Sequence, residues 1–328
     1  MIATPQPRAS LEAVQNPVSS ALHHLRLSSA LCCLSELRGE WSIEMPTEPG
    51  TLMFHIATSG SYWLEVEGVT PHELRPDQLA LVSHGEGHVI ASDLSLPSEE
   101  LFALPVERVS ERYEILRYGA EGERTTLICG FARVENPIAA RLVASLPPLV
   151  HIDALATPQG AWLQQTLRLM THEASVMQPG GETVVARLAD VLVIQALRLW
   201  MQGGEGLGSP WLRALHDPQI GQALALIHEH PGHPWSVGEL AERVAMSRSS
   251  FSARFSDVVE QTPMQYLTEW RMTIALSMLT GEEVSVAEVA EACGYGSEAA
   301  FSRAFKREVG VPPGAAARGA EVPARWAT

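Results

Sequence analysis

The stretches SVGELAERVAMSRSSFSARF (236–255) and SVAEVAEACGYGSEAAFSRAF (285–305) repeat one pattern, and the second is one residue longer at its central turn. Each opens on Ser-x-x-Glu, Ser236 with Glu239 and Ser285 with Glu288, a capping box in which the two side chains satisfy free amides at a helix start. Leu240, Ala241 and Val244 in the first copy, and Val289, Ala290 and Cys293 in the second, supply the inner face of that helix. A short turn follows, through Ala245-Met246 or Gly294-Tyr295-Gly296, and Ser247 and Ser297 then stand as N-caps of a second helix. Phe251 with Phe255, and Phe301 with Phe305, are i, i+4 pairs that point inward together. The small Ala241 and Ala290 let the paired helices approach closely where they cross.

The inward phenylalanines decide what faces out. In the first copy these are Arg248, Ser249, Ser252 and Ala253; in the second they are Glu298, Ala299, Ser302, Arg303 and Lys306. Small and hydroxyl side chains around an arginine suit a helix laid in the major groove of double-stranded DNA, where hydroxyls and amides serve phosphates and arginine reads base edges. Between the copies, TPMQYLTEWRMTIALSMLTG (262–281) carries Leu267, Trp270, Ile274 and Met278 on one stripe and ends at Gly281. That pattern predicts a single long helix holding two DNA-reading units at fixed spacing. A helical bundle that binds protein is the plainer alternative, and two such units in tandem, each with cap, turn and Phe pair, weigh against it.

Net charge argues in the other direction. The 328-residue chain carries a formal −15, which repels a polyanion. Lys306 is its single lysine, and the other basic residues are arginines, which suit bidentate contact to guanine and phosphate. A hydrophobic content of 46% with 19% charged residues marks a globular chain, and the length suits two or three domains. No apolar run reaches membrane-spanning length, and the opening MIATPQPRASLEAVQNP lacks the regions of a secretory signal. The four cysteines, Cys32, Cys33, Cys129 and Cys293, form no CxxC pair and no disulfide-like framework. The expected compartment is therefore the cytoplasm, with no membrane partner.

Ahead of the repeat the period changes twice. From about Leu22 to Val134, short apolar stretches such as LMFHIA (52–57), YWLEVEG (62–68), LALVSH (79–84) and TLICGFARV (126–134) alternate with Gly, Pro, Asp and Ser clusters. That is the signature of a β-sandwich or barrel. After Pro147-Pro148 the spacing becomes helical over 160–177 and 182–202, with Val184, Leu188, Val191, Leu192, Gln195 and Leu199 near one face and Gly180-Gly181 turning the chain. Such a helix pair serves either as a homodimer interface or as packing on the barrel. GGEGLGSP (203–210) reads as a linker. The predicted class is α+β: a flexible start over 1–18, a barrel over 19–146, a helical region over 147–202, the linker, a two-unit DNA-binding domain over 211–320 and a tail over 321–328.

Residues 215–318 resemble the DNA-binding domain of the AraC/XylS family of bacterial regulators. The likeness lies in CGYGSEAAFSRAFKREVGVPPGAAAR, in Trp270-Arg271, and in Ala275 with Leu279. It implies base contact from Ser249, Ser252 and Ala253 in the first reading helix and from Ala299, Ser302 and Arg303 in the second. Ala253 stands where the family often has arginine, with Arg254 one position on and expected nearer the core. Residues 50–93 resemble the cupin-like sensing domain of one branch of these regulators, through Phe54-His55-Ile56, Gly60, Trp63-Leu64, Leu74 and LALVSHGEGHVIASD (79–93), with Cys129-Gly130 beyond.

That second resemblance implies an effector pocket inside the barrel, lined by His55, Trp63, His84, His88 and Cys129. In metal-binding cupins, histidines on neighbouring strands hold a divalent ion; here His55, His84 and His88, with Cys129 adding a thiolate, are the candidate ligands for zinc, iron or nickel. The alternative is polar lining of a pocket for an organic ligand. The thiols of Cys32, Cys33 and Cys129 are either oxidant-sensing or buried small hydrophobes. The expected function is a transcription regulator that binds promoter DNA under control of a small effector, metal or oxidant, as a homodimer with RNA polymerase as a further partner. The competing reading is a cupin-type metalloenzyme with an accessory helical domain. No nucleophile motif such as GxSxG and no second full ligand set supports it.

Overall fold

Alternation of side chains along the strands sets the architecture of the front half. The computed structural model describes Leu22 and residues 31–134, 136–155, 160–176, 178–202, 209–281, 284–323 and Trp326. The expected flexible start (1–18) and most of the expected linker (203–210) lie outside the described residues, as does part of the tail.

Twelve described strands form two sheets. The seven-stranded sheet runs β12-β6-β3-β11-β1-β10-β9, where β1 is Leu31–Arg38, β3 Thr51–Ser59, β6 Gln78–Val82, β9 Val106–Ser110, β10 Tyr113–Tyr118, β11 Arg124–Arg133 and β12 Leu149–Asp153. The five-stranded sheet runs β5-β4-β7-β2-β8, with β2 Ser42–Met45, β4 Tyr62–Val66, β5 His72–Leu74, β7 His88–Ala91 and β8 Glu99–Glu100. Strand β3 is buried on both faces: Met53 and Ala57 enter the core between the sheets, while Leu52, Phe54 and Ile56 enter the core beneath the helices. A central strand covered on both sides reads as a continuous apolar run, as LMFHIA does. Strand β4 has one wet face, with Tyr62, Leu64 and Val66 buried and Trp63 and Glu65 exposed.

One strand departs from the helical region expected after Pro147-Pro148. Residues Leu149–Asp153 form β12, which pairs antiparallel with β6 and closes the end of the large sheet. Its alternating burial, iBiBi, is period two and not the helical period.

Helices cover the outer face of the large sheet. These are α1 (Pro137–Ala144), α2 (Gly160–Val176) and α3 (Gly181–Gln202). The inward stripe of α3 is Val185, Ala189, Leu192, Val193, Ala196 and Trp200. It is rotated from the expected one, because Val184 and Val191 are exposed.

The second half is all helix: α4 (Pro210–His216), α5 (Pro218–Glu229), α6 (Val237–Arg243), α7 (Arg248–Val259), α8 (Pro263–Gly281), α9 (Val286–Ala292), α10 (Glu298–Val309) and the short α11 (Pro313–Ala316). The long strut α8 is buried on two sides and not along one stripe. Tyr266, Leu267 and Trp270 join the first unit's core, whereas Met272, Ala275, Leu276 and Leu279 join the second's; Ile274 and Met278 are only partly buried. A helix lying between two cores must be apolar over more than one arc.

A clasp fixes the two units against each other. Arg271 of α8 donates from Nε to the Pro231 carbonyl at 2.7 Å and from Nη2 to the His233 carbonyl at 2.8 Å. The same guanidinium lies 5.8 Å from the Tyr295 ring centre. The front half also reaches the DNA-binding half: Arg141 of α1 sits over the Tyr266 ring at 4.7 Å.

Candidate functional site

Caps start both reading helices as the serines demand. Ser247 Oγ accepts from the Ser250 amide at 3.2 Å and Ser297 Oγ from the Ala300 amide at 3.3 Å. The capping box at the head of each unit is complete only in the second. There Ser285 Oγ accepts from the Glu288 amide at 3.2 Å, and Glu288 Oε2 accepts from the Ser285 amide at 2.8 Å. In the first unit Ser236 Oγ accepts from the Glu239 amide at 3.1 Å, but the Glu239 carboxylate is taken by His233 Nε2 at 2.9 Å. A better partner has drawn off half of the expected box.

Phe251, Phe255, Phe301 and Phe305 are fully buried. Their burial turns the opposite sides of α7 and α10 outward. Arg248, Ser249 and Ala253 are exposed and Ser252 half-buried on α7; Ala299, Arg303 and Lys306 are exposed and Ser302 half-buried on α10. Arg254 is exposed, not near the core as expected, and its Nε donates to Asp217 Oδ2 at 2.8 Å. Asp217 also caps α5, accepting from the Gln219 and Ile220 amides at 3.0 Å each. Arg254 is thus engaged within the fold.

In the barrel, the register of the large sheet sets Cys33 of β1 opposite Cys129 of β11, and Cys129 opposite His55 of β3. His88 of β7 meets His55 from the other sheet, with 2.7 Å between their Nε2 atoms and the rings edge to face. His88 Nδ1 lies 3.2 Å from the Glu86 carbonyl, so it carries a proton and donates. His88 Nε2 is then an acceptor, His55 Nε2–H is the donor to it, and His55 Nδ1 is left as a bare lone pair. That Nδ1 is buried without a partner, as are Trp41 Nε1 and Tyr62 Oη.

Two expected lining residues are elsewhere. Trp63 is 38% exposed on the wet face of β4, and it is Tyr62, its neighbour, that is buried in the barrel core. His84 sits on the β6–β7 turn at φ +65°, partly exposed, 3.9 Å from Glu86. The metal set is not assembled. Among the described residues no group of three or more His, Cys, Asp or Glu is placed to hold an ion. Two imidazoles on one tetrahedral zinc stand about 3.3 Å apart, from Zn–N bonds of about 2.05 Å. The shorter His55–His88 contact is a hydrogen bond, and the residues do not fit a metal.

Burial lowers the pKa of both imidazoles, that of His88 to about 4 and that of His55 well below the ordinary value. Between pH 6.5 and 4 the unfolded chain therefore binds a proton at position 88 that the folded chain refuses. Stability must fall as pH falls through that window, by up to about 3 kcal/mol from His88 alone. Urea unfolding at pH 7 and pH 4.5 is expected to show a smaller acid penalty in His88→Asn than in the parent chain. Equal penalties would remove this pair from the account.

A cupin family model matches residues 16–202, and a helix-turn-helix domain model matches residues 240–319. The chain is 33% identical over 304 residues to a putative AraC-like transcription regulator of Streptomyces antibioticus, covering 91% of this chain and 97% of that protein. It is 28% identical over 293 residues to the HTH-type transcriptional regulator AlkR of Acinetobacter baylyi, covering 89% and 95% respectively. The DNA-binding domain of AdpA, solved with a target DNA, is 33% identical, with 30% of this chain and 89% of that one covered at a TM-score of 0.29. These relatives are regulators and not enzymes. No helix among the described residues is long and apolar enough to cross a membrane. The chain belongs to the AraC family of transcription regulators, with a cupin domain ahead of a tandem helix-turn-helix domain that binds double-stranded DNA.

Proposed function

We propose that promoter binding through α7 and α10 is controlled by a small organic molecule held inside the barrel. The observation that carries this reading is the trio of orphaned polar atoms in an otherwise apolar interior: Trp41 Nε1, Tyr62 Oη and His55 Nδ1. Each such group costs about 1–3 kcal/mol when buried unpaired. A largely apolar ligand offering an acceptor to the indole and phenol and a donor to the imidazole offsets that cost. The base-contact residues on this reading are Arg248, Ser249, Ser252, Ala253, Ala299, Ser302 and Arg303, with Lys306 on phosphate.

The active form on this reading is a homodimer joined through α2 and α3. Trp162 is 77% exposed, Leu169 51% and Val176 50%, at seven-residue spacing on α2, beside exposed Val184 and Val191 on α3. Apolar side chains in such a row mark an association face. At a promoter the bound dimer meets RNA polymerase, and its output is recruitment or exclusion of that enzyme.

The test is a gel shift against the DNA upstream of the chain's own gene, across a panel of small apolar effectors. Residues 209–328 are expected to bind DNA without responding, and the full chain to bind more tightly and to respond. Tyr62→Phe should blunt the response. A panel-independent shift, or a full chain that sediments as a monomer at micromolar concentration, contradicts this reading in its control or its dimer part respectively.

A further inference from the structure

Cys33 and Cys129 are a directly opposed pair on adjacent antiparallel strands, flanked by the pairs Cys32↔Gly130 and Leu34↔Ile128. Directly opposed residues hold their Cβ atoms about 4.5–5.5 Å apart, just outside the roughly 3.5–4.5 Å that a disulfide spans. A small local twist closes the gap. Both thiols are free, and Cys33 is half-buried where Cys129 is buried. Cys129 Sγ lies 3.8 Å from the Cys33 carbonyl, and Cys33 Sγ lies 3.6 Å from Ser35 Oγ.

We infer that Cys33 and Cys129 are a reversible oxidation site, closed to an intramolecular disulfide by a hydroperoxide. In the first step the Cys33 thiol gives its proton to solvent and its thiolate attacks the outer peroxide oxygen; the O–O bond breaks, Cys33 becomes a sulfenic acid, and the leaving alkoxide or hydroxide takes a proton back from solvent to depart as alcohol or water. In the second the Cys129 sulfur attacks Cys33 Sγ, the S–O bond breaks, and the Cys129 proton departs with the hydroxyl as water. The two thiols lose two electrons together and the peroxide gains them. Thiol reductants reverse the change by exchange.

The surroundings divide the roles. A hydrogen bond from Cys129 holds the Cys33 thiol below its ordinary pKa, with Ser35 assisting against burial, while the same bond and full burial raise that of Cys129. The attacking thiol is the more exposed and more acidic one, and the resolving thiol lies behind it. The other two cysteines are buried and spectators: burial pushes Cys32 up to about 12 and Cys293 up to about 11.

As a means of regulation this site rests on control of DNA binding by the barrel, proposed above; as chemistry it does not. The test treats the full chain with a few equivalents of hydrogen peroxide, quenches with an alkylating agent, and maps peptides without reductant. Free thiols are expected to fall from four to two, with one Cys33–Cys129 link that dithiothreitol reopens. Cys33→Ser and Cys129→Ser should each abolish the link, and Cys32→Ser should leave it. Retention of all four thiols, or a link through Cys32 or between chains, overturns the assignment. A gel shift on the linked protein reads the other question: an unchanged shift leaves the oxidation site standing and counts against control by the barrel.

Discussion

Arg303→Ala is expected to weaken binding to the operator by about 5- to 150-fold, the roughly 1–3 kcal/mol of a good bidentate contact between arginine and a base. The choice of this residue follows from its neighbours. Arg254 on the first reading helix is tied to Asp217, and Arg307 on the second is tied to Glu308 at 2.8 Å. Arg303 is exposed on α10, and among the described residues no carboxylate pairs with it. Its fork is therefore presented outward. Arg303→Lys keeps the charge and loses the fork, so it should behave like the alanine variant toward the specific site. Lys306→Ala should instead lower specific and nonspecific affinity together and reduce the salt slope by about one. Fluorescence anisotropy against operator and scrambled duplexes separates the two, and undiminished operator affinity in Arg303→Ala would remove it from the interface.

Gly294→Ala is expected to lower the stability of the DNA-binding half by about 2–3 kcal/mol. Gly294 has φ +74°, and a Cβ there would meet the Gly232 carbonyl oxygen at 2.3 Å and Arg271 Nη2 at 3.0 Å. Positive φ alone does not decide the matter, since the first unit carries Ala245 at φ +53° in its own turn. The opposed backbone does. Because Arg271 and the 231–233 segment share this spot, the substitution should also loosen the two units and reduce operator affinity beyond the loss of folded protein. Urea denaturation with operator titration measures both. An unfolding midpoint equal to that of the parent chain would show that the clasp yields without cost.

What could be read in the sequence followed the range of each signal. The two helix-turn-helix units rest on contacts within a few residues, so Ser247, Ser297 and the Phe pairs declared themselves. Glu239 did not, because its carboxylate answers to His233, a partner that no capping pattern mentions. The fault at Trp63 was one of parity. Trp63 shares the phase of Glu65 and Glu67, which faces water, and Tyr62 shares that of Leu64 and Val66. His84 shares only its residue type with His55 and His88: it lies on the turn between β6 and β7 at φ +65°, partly exposed and 3.9 Å from Glu86. On α3 the period was correct and its phase was not, since the side of a helix that meets a sheet depends on the sheet.

The stacking of Arg141 on Tyr266 sets an energy scale for communication between the halves. Only residues 134–140 separate β11, in the barrel wall, from the Arg141 guanidinium, which rests on the core of the first reading unit. A contact of this kind is worth about 0.5–2 kcal/mol. Taken alone, the contact is favoured over its loss by a factor of only about 2 to 30, and the apolar cluster that runs from the helices of the front half into the first reading unit adds to it. On the control proposed above, a ligand acts only by the amount that it prefers one arrangement of the halves over another. On that reading Arg141→Ala, which removes the contact and touches no residue of the barrel interior, is expected to shift the ligand response along the concentration axis.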